Sequence, residues 1–159
     1  FERAETVLRK ATAEAPDNSE AHFWLGIAMG RTGQARGILK SLFLIGPLRR
    51  EMETVLKLNP NHGGAHHVLG EMLFQVPGFA GGNKKGAVRE LEEAIRLDPN
   101  YTAHYPALAR AYLAVRERDK AVAALKRTFE IQYPSDAAGA EDDKEEARRI
   151  LEKLRTQIR

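Results

Sequence analysis

Three proline-ended marks punctuate this chain: Ala15-Pro16-Asp17-Asn18, Asn59-Pro60-Asn61-His62 and Asp98-Pro99-Asn100-Tyr101. Each follows one stretch of apolar residues at helical spacing and precedes another. A looser fourth mark is Tyr133-Pro134, so that Pro16, Pro60, Pro99 and Pro134 stand 44, 39 and 35 residues apart. Such recurrence describes a repeated two-helix unit. One helical hairpin cannot bury its own apolar face, so the units must stack. The period therefore points to an all-α architecture and to binding, without naming a partner.

Composition agrees. With 43% apolar and 30% charged residues, rich in Ala, Leu, Glu, Lys and Arg, the 159-residue chain reads as globular and helical. The formal charge of +3 is small, and no clustered basic face appears, so nucleic acid is not an expected partner. The absence of cysteine excludes disulfides and thiolate metal sites and leaves the compartment open. The longest strongly apolar run, from Leu42 to Leu48, is far short of the roughly 20 residues that span a bilayer. No signal peptide is visible. The chain opens at Phe1 inside a helical stretch, so an upstream helix, and any export signal, are expected to precede it.

Similarity persists around the marks. Trp24-Leu25-Gly26, Val68-Leu69-Gly70 and Ala107-Leu108-Ala109 each fall about nine residues after a proline. The small third residue marks where two helices of a hairpin cross closely. Second helices carry Ala87, Leu91 and Ala94, then Ala121, Leu125 and Thr128, as a single apolar stripe.

These residues resemble the tetratricopeptide repeat (TPR) family, over roughly residues 1–134. The third unit fits best, with Tyr105, Leu108, Ala109, Tyr112, Ala121 and Leu125. Against the family's 34-residue unit the spacings carry about 10, 5 and 1 extra residues. Two departures stand out. Trp24 falls two places later than the family's aromatic, and Pro106 enters the first turns of a helix, where the N–H groups lack partners anyway. The resemblance implies an all-α fold, a right-handed superhelical array of antiparallel helix pairs. A partial unit at 1–16 leads into units near 19–60, 63–99 and 102–134. A linker and a C-terminal capping helix occupy 135–159, with apolar positions at Ala147, Ile150, Leu151, Leu154 and Ile158. Helices are expected near 1–14, 19–32, 35–58, 62–76, 83–97, 101–115, 118–132 and 141–157.

The first insertion, between Gly33 and Leu48, keeps helical spacing and predicts one long second helix, kinked at Gly46-Pro47. Its residues Leu42, Phe43 and Ile45 form an apolar ledge. The ledge either packs on neighbouring helices or serves as a docking or self-association surface. The second insertion runs from Val76 to Lys85. Asn83 is its N-cap candidate, and Lys84 and Lys85 fall in the first turn of the next helix, where the positive helix end disfavours them. An anion held by Asn83, Lys84 and Lys85 would relieve that conflict; two solvated lysines on a linker are the plainer reading. No Gly-Lys-Ser/Thr ending makes this a nucleotide loop. A Pro then Gly-Gly loop before a small-residue helix start, after a lengthened helix, is also similar to a subset of bacterial TPR proteins over about residues 35–100. These include the TPR partner of TRAP-type solute transporters and relatives of the microtubule-dynamics regulator group.

His62, His66 and His67 lie close together, but no ligand-spaced Cys or carboxylate accompanies them, so a metal site is not expected. His22 and His66 occupy equivalent repeat positions and read as partly buried, hydrogen-bonded residues. No catalytic motif or cofactor signature appears, and the chain reads as non-enzymatic. The TPR resemblance places Phe23, Arg31, His67, Glu71, Phe74, Gln75 and Arg110, with Ile27 and Leu113, on the concave side. For the apolar members plain hairpin packing is the competing account. The Lys/Asn pattern that clamps a chaperone's terminal carboxylate is missing. The first functional expectation is a non-catalytic scaffold that binds a protein or peptide through its concave face, with Arg110→Glu abolishing capture at unchanged melting temperature. The alternatives are an accessory module of a bacterial transport or cell-envelope system, binding a solute-binding protein or small ligand, and the recognition arm of a longer enzyme.

Overall fold

The computed structural model describes residues 1–36 and 38–156, with the side chains of residues 34, 36 and 38–42 outside that description. Eight α-helices run along the described chain: α1 Glu2–Glu14, α2 Ser19–Arg36, α3 Ile38–Leu58, α4 Gly63–Gln75, α5 Lys84–Leu97, α6 His104–Ala114, α7 Arg118–Glu130 and α8 Ala140–Thr156. A short 3₁₀ turn, Gly78–Ala80, interrupts the loop before α5, and no strand occurs among the described residues.

Each helix packs on its chain neighbour, and the first helices α2, α4, α6 and α8 also touch in succession. The pairs α2/α3, α4/α5 and α6/α7 therefore stand in one row, a helical repeat solenoid. Two cores result. Met52, Val55, Ala65, Leu69 and Met72 fill the first, and Ala87, Leu91, Leu108, Tyr112, Leu125 and Leu154 anchor the second. The predicted crossing points are real. A Cβ on Gly26 would lie 2.3 Å from the Met52 terminal methyl, and one on Gly70 would lie 2.6 Å from Cγ of Leu91. Ala109 is fully buried.

The proline marks are tied down by one repeated device. Six residues after each proline, a first-helix side chain reaches back to the proline carbonyl. His22 Nε2 lies 3.0 Å from Pro16 O, His66 Nε2 lies 3.3 Å from Pro60 O, and the Tyr105 hydroxyl donates to Pro99 O at 2.7 Å. The two histidines also bond the second helix of their hairpin, through Glu51 at 2.7 Å and Glu90 at 2.8 Å. Asn18 and Asn83 accept from the backbone N–H three residues on, and so cap α2 and α5. His62 does the same for α4 through Nδ1.

The first insertion departs from the predicted single long helix. It is shared: α2 has 18 residues and α3 has 21, against 13 and 14 in the next hairpin. α3 stays helical through Pro47. Both arms of the first hairpin thus extend beyond the others. The linker after α7 is pinned, since Ser135 donates its N–H to Asn100 O at 3.0 Å and its hydroxyl to Asp98 at 2.7 Å. α8 then closes the row with Ala147 and Leu154 buried and Ile150 and Leu151 packed against the second core. Ile158 lies outside the described residues.

Candidate functional site

The extended first hairpin builds one wall of a groove. Ile27, Met29 and Arg31 come from α2, and Leu44, Ile45 and Leu48 from α3. The opposite wall is α4, with His67, Val68, Glu71, Met72 and Gln75, and the loop residues Val76, Pro77 and Phe79 close one end. Tyr101 completes the lining of a cavity of about 890 Å³. That is in the range of sites that hold ligands or a few side chains of a partner. The floor is aliphatic and methionine-rich, and the polar groups Arg31, His67, Glu71 and Gln75 stand around it.

Four of the seven concave candidates therefore meet in this groove, with Ile27 beside them. The other three do not line it. Phe23 packs beside Trp24 and His62, with ring centroids 5.4 and 4.5 Å away. Phe74 takes the Lys84 ammonium over its ring at 4.2 Å. Arg110 is an internal clamp: it donates to Glu71 at 2.6 Å and also pairs with Glu146. Gln75 Nε2 donates to the other Glu71 oxygen at 2.6 Å. One polar chain, Gln75–Glu71–Arg110–Glu146, thus joins α4, α6 and α8. Arg110→Glu would set a third carboxylate between Glu71 and Glu146, so unchanged stability for that variant does not follow from this geometry.

Behind the groove lies a histidine pair. His104 Nδ1 and His67 Nδ1 are 2.9 Å apart, and the Tyr101 ring packs against both, 4.7 Å from His104 and 6.0 Å from His67. Burial, reinforced by the neighbouring His67, pushes the His104 pKa down to about 3. Burial also lowers that of His67, with Glu71 opposing and Arg110 assisting. Both rings are neutral at pH 7, so one Nδ1 donates and the other accepts. Burial raises the Tyr101 phenol above its ordinary value, with Asp136 and Asp143 adding to the effect.

Of the ledge residues, Ile45 lines the groove, beside Leu44 and Leu48, and Ile45 and Leu48 also pack on the first core. Phe43 points to solvent at 83% exposure, and the side chain of Leu42 lies outside the description. In the second insertion Lys84 turns back to bond the Phe74 carbonyl at the end of α4. Lys84 thus has a carbonyl acceptor within the chain. Lys85 is exposed. Among the described residues no three His, Asp or Glu side chains converge as a metal site, and no helix is long and apolar enough to cross a membrane.

Sequence reasoning missed Met29, Leu44, Leu48, Phe79, Tyr101 and His104. The loop residues Phe79 and Tyr101 fall outside any helical stripe, and only their large aromatic side chains beside glycine and proline could have flagged them.

Comparison with solved structures places the fold among TPR proteins. A TPR protein of Thermus thermophilus, TTC0263, is 23% identical, with a TM-score of 0.66 over 90% of this chain and 70% of its own. A crystal structure of MamA is 22% identical, with a TM-score of 0.62 over 97% of this chain and 88% of its own. A double mutant of MamA from RS-1 superposes with a TM-score of 0.65 at 20% identity, covering 98% and 86%. No curated protein matches the chain by sequence. Two bacterial likenesses are read from the loop and the lengthened helix, to TRAP-type transporter partners and to the microtubule-dynamics regulator group. The second is supported: the family described as regulator of microtubule dynamics protein 1-3 matches residues 1–87, more than half of the sequence. The chain belongs to that family.

Proposed function

We propose that this chain is an interaction scaffold that holds a segment of a partner protein in the groove between α2, α3 and α4. The observation that carries the reading is the groove's make-up: an apolar floor from two elongated helices, ringed by Arg31, His67, Glu71 and Gln75. A helix or extended peptide can bury apolar anchors on such a floor and meet polar groups at its edge. Arg31 and Gln75 are solvent-exposed and can meet an arriving chain, while Glu71 is held in place by Arg110 and Gln75. The family's name ties it to regulation of microtubule dynamics, and microtubules are protein polymers, so a protein-binding role is compatible with that name.

The test is co-purification of the native partner on the parent chain and on Arg31→Glu. Reversing one exposed rim charge should weaken capture at least tenfold and leave stability within about 0.5 kcal/mol. Equal recovery of the partner by both proteins would remove the groove from the interface.

A further inference from the structure

Towards the other end of the row a second cavity of about 580 Å³ opens between the α6–α7 turn and α8. Its floor is apolar, from Leu113, Ile150 and Leu154. Every other lining residue is a cation: Arg110, Arg116, Arg118 and Lys153. No carboxylate lines it. Part of that charge is already spent. Arg110 is paired with Glu71 and Glu146, and Arg118 donates to the Leu154 carbonyl, one of the open acceptors at the end of α8. The side chains of Arg116 and Lys153 have neither an ion pair nor a hydrogen bond among the described residues, and both residues are exposed.

Arg116 carries a second signal. It is the one non-glycine residue with positive φ among the described residues, at +66°. It follows the end of α6, where Glu117 N–H closes back onto Tyr112 O and Arg116 N–H onto Leu113 O. That is a helix stop built for glycine, and a side chain there costs stability. The cost secures a guanidinium at the mouth of the cavity. A backbone penalty at a binding surface is a pointer to use of the side chain.

We infer that this cavity binds an acidic peptide segment of a partner, one that interleaves carboxylate and aliphatic side chains. The carboxylates meet Arg116 and Lys153, and the aliphatic groups settle on Leu113, Ile150 and Leu154. The site shares no lining residue with the groove, and the Arg110–Glu71 pair separates the two.

The probe is a fluorescein-labelled hexapeptide of alternating leucine and glutamate, followed by anisotropy at low salt, with hexaglutamate as comparison. The expected result is saturable binding that falls as salt rises, with hexaglutamate at least tenfold weaker. Arg116→Gly is the decisive variant. It should raise the melting temperature by roughly 2 °C, because glycine fits the turn, yet weaken the peptide at least fivefold. The pair Arg116→Glu with Lys153→Glu should abolish binding. The inference is overturned if the leucine–glutamate peptide does not saturate, if hexaglutamate binds as well, or if Arg116→Gly binds as tightly as the parent.

Discussion

His104 shows how one side chain reports on the assembly. Its ring is buried and faces another imidazole, so the folded protein refuses the proton until pH falls to about 3. The unfolded chain accepts it near the ordinary histidine value of 6.5. Between those values the unfolded state binds more protons, so the folded state loses stability as pH falls through 6.5 towards 3. The slope approaches about 1.4 kcal/mol per pH unit. His104→Phe keeps an aromatic ring beside Tyr101 and removes the titration. Denaturant melts at pH 7, 5.5 and 4.5 should show the parent losing stability faster than the variant. Parallel losses would mean that His104 titrates normally in the fold. At this scale the sequence was least informative. The partners of His104, at His67, and of Arg110, at Glu71 and Glu146, lie 36 to 39 residues away along the chain. No local pattern joins residues so far apart, and Arg110 therefore read as a free groove residue when it is a clamp.

Helices, by contrast, were largely legible, because their signals are local. The proline marks, the asparagine caps and the small residue at each crossing all act within a few turns. Gly70 is the clearest instance. Any Cβ there meets Cγ of Leu91 at 2.6 Å, a branch carbon in the second core rather than a flexible tip. Gly70→Leu is expected to destabilise the fold by about 3 kcal/mol, since its added atoms must drive α4 from α5. Urea unfolding measures this directly; a variant as stable as the parent would mean that the hairpin does not cross at Gly70. What stayed illegible was the division of the first insertion. Helical spacing runs through Gly33 and Gly37 into α3, and neither glycine announces by itself where one helix stops. Local spacing gives the extra residues to one helix, but they lengthen two, and that sharing is what gives the groove both α2 and α3 as a wall.

The whole molecule is a short row with two dissimilar ends. The α2/α3 end carries an apolar groove with polar groups at its edge, and the α6–α8 end carries a cationic pocket with an apolar floor. The Gln75–Glu71–Arg110–Glu146 chain runs between them across three successive first helices. The central claim is that a partner lies along the α2–α4 groove. The most direct measurement places a photo-crosslinking amino acid at exposed Gln75 and, separately, at exposed Lys126 on α7, and maps the adducts by mass spectrometry on the purified complex. The account predicts that Gln75 labels one contiguous partner segment and Lys126 labels none. Equal labelling from both positions, or labelling from Lys126 alone, would contradict it.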